Sequence, residues 1–207
     1  MNLIQLKNNF RYSDKTKEFS IVLEYEQYLK YYKEVKLILE SFYAQTEKKI
    51  NLIMISKNRI DRKVTNRLSV GINIDLAYYE NYKENADLDF VFKKRSVFLD
   101  LAYCIVPTHD YLARRLYSNW YGCVLITRNA KTAKLVAHPL ASYFYNFNSY
   151  DSNLDISSVT ESLLDAYAMY TTQPFKWIGR LGASRSIARD FTLDKLLKII
   201  INYKPYV

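Results

Sequence analysis

INLIMISKNRIDRKVTNRLSVGINIDL, residues 50–76, carries the reading of the fold, because its periodicity changes twice along its length. Ile50, Leu52, Ile53, Met54 and Ile55 form a short apolar run, residues 57–67 are polar, and Leu68, Val70, Ile72 and Ile74 then alternate with polar residues. Short apolar runs bounded by polar stretches, one of them with a period of two, read as strands. The segment is expected to be a small β-hairpin whose two strands are joined by a basic loop.

Outward from that hairpin the spacing turns helical. Ile21, Val22, Tyr25, Tyr28, Leu29, Tyr32, Val35, Leu37, Ile38 and Phe42 predict one long helix, or two with a break, between residues 19 and 48. Residues 1–17 lack periodicity and suit an arm. A third short strand is expected over residues 88–92. After Pro107, Thr108 is placed to cap a helix containing Tyr111, Leu112, Leu116 and Tyr117. Further helical spacing covers residues 131–147, 157–170, 177–191 and 192–203. The expected fold class is mainly α with a small β-hairpin (α+β). Its divisions are an N-terminal arm (1–17), an N-terminal lobe (18–106), a C-terminal helical lobe (107–190) and a C-terminal arm or helix (191–207).

The chain carries 30 Lys and Arg against 21 Asp and Glu, a formal charge of +9, so it should attract polyanions. The signs are segregated. Residues 57–67 hold five cations and Asp61 alone, residues 139–175 hold no Lys or Arg, and residues 176–204 return seven cations against two anions. Such clustering points to basic strips that could converge on one groove.

Evidence for chemistry is thin. Four scattered glycines (Gly71, Gly122, Gly179, Gly182) cannot make a phosphate loop. His109 and His138 have no metal-ligand spacing and read as structural. Asp100, His109 and Ser118 could be drawn as a triad, but no nucleophile elbow supports one. Cys104 and Cys123 sit in apolar surroundings and read as buried thiols. No signal-peptide core opens the chain and no apolar run is long enough to span a bilayer, which suits a cytosolic protein without membrane insertion. With 20 Tyr interleaved among the cations, single-stranded nucleic acid is the expected ligand.

Four stretches resemble the nucleocapsid proteins of the orthobunyaviruses: residues 50–76, THDYLARRL at 108–116, AKLVAHPLASYF at 133–144, and Trp177 followed by GASRSIARDF at 182–191. The resemblance implies a two-lobed fold with a basic groove between lobes, and a non-enzymatic protein without cofactor or metal that coats viral single-stranded RNA regardless of sequence. It implies homo-oligomers built through terminal arms, the viral polymerase as a further partner, and a place in the virion and host cytoplasm. On this reading Lys57, Arg59, Arg62, Lys63 and Arg67 line one side of the groove, with Lys93, Lys94 and Arg95 nearby. Arg114, Arg115, Lys131, Lys134, Arg180, Arg185 and Arg189 supply the other side, and Tyr143, Tyr145 and Trp177 are candidate stacking surfaces. The alternative is a matrix-type protein that spends its charge on acidic membranes.

Overall fold

The computed structural model describes residues 19–56, 72–78, 96–102, 108–146, 154–191 and 193–202. Six strands among them form one sheet: β1 (Ser20–Glu24), β2 (Ile50–Ser56), β3 (Ile72–Tyr78), β4 (Val97–Leu99), β5 (Val124–Arg128) and β6 (Ser142–Tyr145). Their order is β3-β2-β1-β4-β5-β6, and every pairing is parallel. Helices α1 (Tyr25–Lys30) and α2 (Tyr32–Thr46) link β1 to β2. Helix α3 (His109–Tyr121) links β4 to β5, α4 (Lys131–Lys134) links β5 to β6, and α5 (Ile156–Thr172), α6 (Pro174–Arg189) and α7 (Leu193–Asn202) follow.

The sheet is covered on both faces, which explains its composition. Ile21, Leu23, Leu52, Met54, Val97, Leu99, Val124 and Ile126 pack with Val35, Ile38, Leu39 and Phe42 of α2 and with Val159, Leu163 and Ala166 of α5. The intervening residues Val22, Ile53, Ile55, Phe98 and Leu125 form a second cluster, against which Tyr117 and Tyr121 of α3 pack. A strand buried on both sides has no polar face to show, so it reads as an unbroken apolar run rather than an alternation.

Local signals fix the helix ends. The Thr108 hydroxyl accepts the Tyr111 N–H (3.2 Å), the Asp155 carboxylate accepts the Ser158 N–H (3.0 Å), and Pro174 opens α6 where its missing N–H costs nothing. Helix α3 ends on Gly122 at φ +80°, and a Cβ built there would lie 2.9 Å from the Arg185 guanidinium. Gly122→Ala is expected to lower stability by about 1–2 kcal/mol, because a side chain in the left-handed region crowds its own carbonyl while Arg185 must also shift. Urea unfolding with an unchanged midpoint would overturn that expectation.

Several sequence expectations are corrected. The long helix over residues 19–48 begins instead as β1, whose Ile21, Val22 and Leu23 are wholly buried between β2 and β4. Its all-apolar run satisfied a helical template by accident. Strands β2 and β3 lie in the stretch read as a hairpin but run parallel, Ile50 beside Ile72 through Ser56 beside Tyr78. Parallel neighbours need a crossover of about a dozen residues or more, so a hairpin turn cannot join them. The helix expected over 131–147 is only the four residues of α4, followed by β6 in register with β5. The strand expected over 88–92 lies outside the described residues. A mainly α, two-lobed molecule with a small hairpin thus gives way to a single parallel sheet flanked by helices.

Candidate active site at the strand switch point

The chain leaves β1 toward β2 on one side and reaches β4 on the other, so the strand order reverses between β1 and β4. In an open α/β sheet, ligands bind in the crevice outside the carboxyl ends of the strands at that point. The residues gathered at those ends are Glu24 (end of β1), Gln27 (α1), Asp100 (directly after β4), Thr127 and Arg128 (end of β5), Tyr145 (end of β6), and Arg114 and Arg115 (α3).

Asp100 is the hub. Its fully buried carboxylate receives Arg115 through both Nε (2.7 Å) and Nη2, and also the Thr127 hydroxyl (2.7 Å). Its carbonyl accepts the Tyr145 hydroxyl (2.8 Å). Arg115 donates further to the Tyr111 carbonyl (2.6 Å), and its guanidinium lies 3.4 Å from the centre of the Tyr111 ring. Burial works to lower the Arg115 pKa, but the Asp100 carboxylate, together with Tyr111 and Glu24 nearby, outweighs it, and the cation is held above its ordinary value. Burial, reinforced by Asp100, pushes the Tyr145 phenol well up, so it donates as a neutral hydroxyl.

Nearer the rim, Arg114 pairs with the Glu24 carboxylate at 2.5 Å, its side chain 16% exposed against 7% for Glu24. Gln27 spans the switch point. Its amide nitrogen donates to Glu24 and reaches Asp100 (3.5 Å), while its oxygen accepts the Leu101 N–H (2.6 Å). Arg128 donates to the Tyr31 hydroxyl (3.0 Å) and the Leu101 carbonyl (3.2 Å). The donors gathered here are engaged with acceptors of the protein: Arg115 and Thr127 hold Asp100, and Arg114 and Gln27 hold Glu24.

The residues singled out from the sequence are dispersed. Arg114 and Arg115 meet at this crevice. Arg180 and Tyr143 meet at the amino end of β6, where the guanidinium lies 4.2 Å from the ring centre and donates to the Pro139 (3.1 Å) and Ser142 (2.9 Å) carbonyls. Burial pushes the Tyr143 phenol up, opposed by Arg180. Arg185 lies against Gly122, and Lys131, Lys134 and Arg189 are exposed on α4 and α6. Tyr145 and Trp177 belong to the core, with Trp177 edge-on to Tyr170 (5.6 Å). Lys57, Arg59, Arg62, Lys63, Arg67, Lys93, Lys94 and Arg95 lie outside the described residues, as does Cys104. Asp100 and Ser118 form no dyad: Asp100 turns to Arg115, and the Ser118 hydroxyl donates to the Arg115 carbonyl (2.8 Å). Sequence reasoning missed Glu24, Gln27, Thr127 and Arg128. Their one signal is that each is a polar residue at or just past the end of a short apolar run.

A parallel sheet in the order 3-2-1-4-5-6, with helices on both faces, defines the doubly wound, Rossmann-like class. Within that class the chain is similar to a glycosyltransferase from Rickettsia africae (TM-score 0.60, 12% identity, 99% of this chain and 54% of that one). It is also similar to the GtfA/B complex (TM-score 0.60, 13% identity, 92% and 38%). A third is the pneumococcal O-GlcNAc transferase GtfA in complex with UDP and GlcNAc (TM-score 0.55, 14% identity, 91% and 37%). The chain spans between about a third and about half of the length of these structures. No protein-family model and no curated protein sequence matches it.

These findings overturn the nucleocapsid resemblance and what hung on it. The described residues form a parallel sheet flanked by helices instead of a two-lobed helical frame that would clasp RNA, and the similar solved structures named above are of glycosyltransferases, not of virion proteins. The expectations of RNA coating, oligomers through terminal arms, a viral polymerase as partner, a virion or host-cytoplasm location and a non-enzymatic role are withdrawn. The matrix-type alternative gains nothing from this fold either. Among the described residues no helix is long and apolar enough to cross a membrane, and no group of three His, Cys, Asp or Glu could hold a metal ion.

Proposed function

We propose that this chain is the nucleotide-binding unit of a glycosyltransferase-type enzyme, which moves a glycosyl group from a nucleoside-diphosphate sugar to an acceptor nucleophile, forming the new glycosidic bond as the nucleoside diphosphate leaves. The observation that carries the reading is the sheet order, whose switch point is where folds of this kind bind ligands and where Arg114 and the Asp100 cluster stand. Support comes from the similar structure that holds UDP and GlcNAc, and from the excess of cations, which draws a diphosphate toward the molecule. Arg114 at the rim offers charge to the phosphates, while Gln27, Asp100 and Arg115 keep the floor in one geometry. Low glycine content is compatible with this, since donors here come from side chains rather than from a glycine loop.

Thermal unfolding in the presence of UDP, ADP and uridine tests the reading. A ligand at a hundred times its Kd stabilises by about 2.7 kcal/mol, which for a chain of this size raises Tm by roughly 5–10 °C. UDP or ADP should produce such a shift, with uridine well behind. Flat melting curves with both diphosphates at millimolar concentration would sink the proposal.

A further inference from the structure

The two arginines at the switch point are held differently. Arg115 is 1% exposed, bidentate on Asp100, bonded to the Tyr111 carbonyl and stacked on the Tyr111 ring. An incoming anion could recruit it only by breaking a buried ion pair, which typically costs several kcal/mol. Arg114 sits one residue earlier, about 100° around the helix, with its side chain 16% exposed, and faces the Glu24 carboxylate at 2.5 Å. Glu24 is the last residue of β1, at the point where a doubly wound sheet presents its ligand, and it is held there by the Gln27 amide.

We infer that the Glu24 carboxylate is an internal stand-in for a phosphate, and that Arg114 exchanges Glu24 for the diphosphate of the ligand when the ligand binds. This deepens the nucleotide-binding reading and rests on it. A carboxylate and a phosphate oxygen present the same acceptor geometry to a guanidinium, so the exchange swings one side chain, 16% exposed, and leaves the 7% exposed Glu24 carboxylate to the Gln27 amide. Until the exchange happens, Glu24 satisfies Arg114 and repels other anions from the crevice. It sets a threshold: monoanions gain too little from Arg114 to displace a fixed carboxylate, whereas a diphosphate, with more charge and more acceptors, gains enough. Glu24 therefore acts as a specificity-determining residue, and Arg114 as the phosphate-binding one. No covalent step is involved.

Titration calorimetry on the full chain tests this with ADP, UDP and inorganic pyrophosphate as probes and uridine as the phosphate-free control, for the wild type, Glu24→Gln and Arg114→Gln. Glu24→Gln keeps the size and the hydrogen bond to Gln27 but removes the competing charge. It should tighten all three phosphate probes by roughly tenfold and leave uridine unchanged, whereas Arg114→Gln should weaken them by roughly tenfold or more. The uridine control separates a phosphate-specific effect from general loosening of the site. If the wild type binds the diphosphates and a folded Glu24→Gln binds them no more tightly, the exchange is overturned while the nucleotide reading stands. If no variant binds any diphosphate, the nucleotide reading falls and the exchange with it. Should Glu24→Gln fail to fold, arginine side-chain NMR on the wild type decides the matter. Saturating ADP must move the Arg114 Nε resonance and leave that of Arg115 in place, and an unmoved Arg114 in the bound state overturns the inference.

Discussion

Asp100→Ala is expected to destabilise the protein by about 3–5 kcal/mol, since it strands the Arg115 guanidinium, 1% exposed, in the interior without its counter-charge. The Thr127 hydroxyl would lose its acceptor at the same stroke, and the strand end that positions the crevice would loosen. Measured by urea unfolding, the midpoint should fall steeply or the folded state should vanish. The contrast is the exposed pair Lys36 and Glu40 on α2 (3.7 Å, side chains 45% and 39% exposed). Lys36→Ala should change stability by no more than about 0.5 kcal/mol, because solvent already screens that attraction. Comparable losses at both sites would mean that burial is not what gives the Asp100 pair its weight.

The second large effect lies in the core between α2 and α5. Phe42 is fully buried, stacked on Phe19 (5.9 Å) and edge-on to Tyr167 (5.3 Å), so one ring joins α2, α5 and the residue that leads into β1. Phe42→Ala is expected to cost about 3–5 kcal/mol through lost apolar burial and the cavity left behind. Leu37 on the same helix is 51% exposed, and Leu37→Ala should stay within about 1 kcal/mol. Equal midpoints for the two variants would contradict the placement of this helix on the sheet.

How far the sequence disclosed this molecule depends on the range of each interaction. Contacts between near neighbours were legible. Thr108 caps α3 as its position before the helix suggested, and the C-terminal helical spacing corresponds to α5, α6 and α7. The sheet was not, because its decisive facts are pairings between distant strands. Val97 to Leu99 is only three residues long, and nothing local states that it lies beside Ile21 to Leu23 or that it runs parallel to them. The unbroken apolar character of residues 52–55 did hold a clue, since a hairpin with one wet face would have alternated throughout. Arg114 and Arg115 show the same limit at the site. Adjacent in sequence, they counted as two cations on one strip. Their partners, Glu24 at a separation of 90 residues and Asp100 at 15, make one of them a rim charge and the other a core residue. Charge counting sees the cations but not the buried carboxylates that claim them.

The position of β1 has a consequence for how the chain comes to be folded. Although β1 is the earliest described strand, it lies in the interior of the sheet, and its far neighbour is met only through contacts such as Ser20 with Ser96, 76 residues onward. At a synthesis rate of roughly 5–20 residues per second, the nascent strand waits roughly 4–15 s for that neighbour to leave the ribosome. During that interval one edge of Ile21, Val22 and Leu23 has no hydrogen-bonding partner, so β1 is open to pairing with another nascent copy.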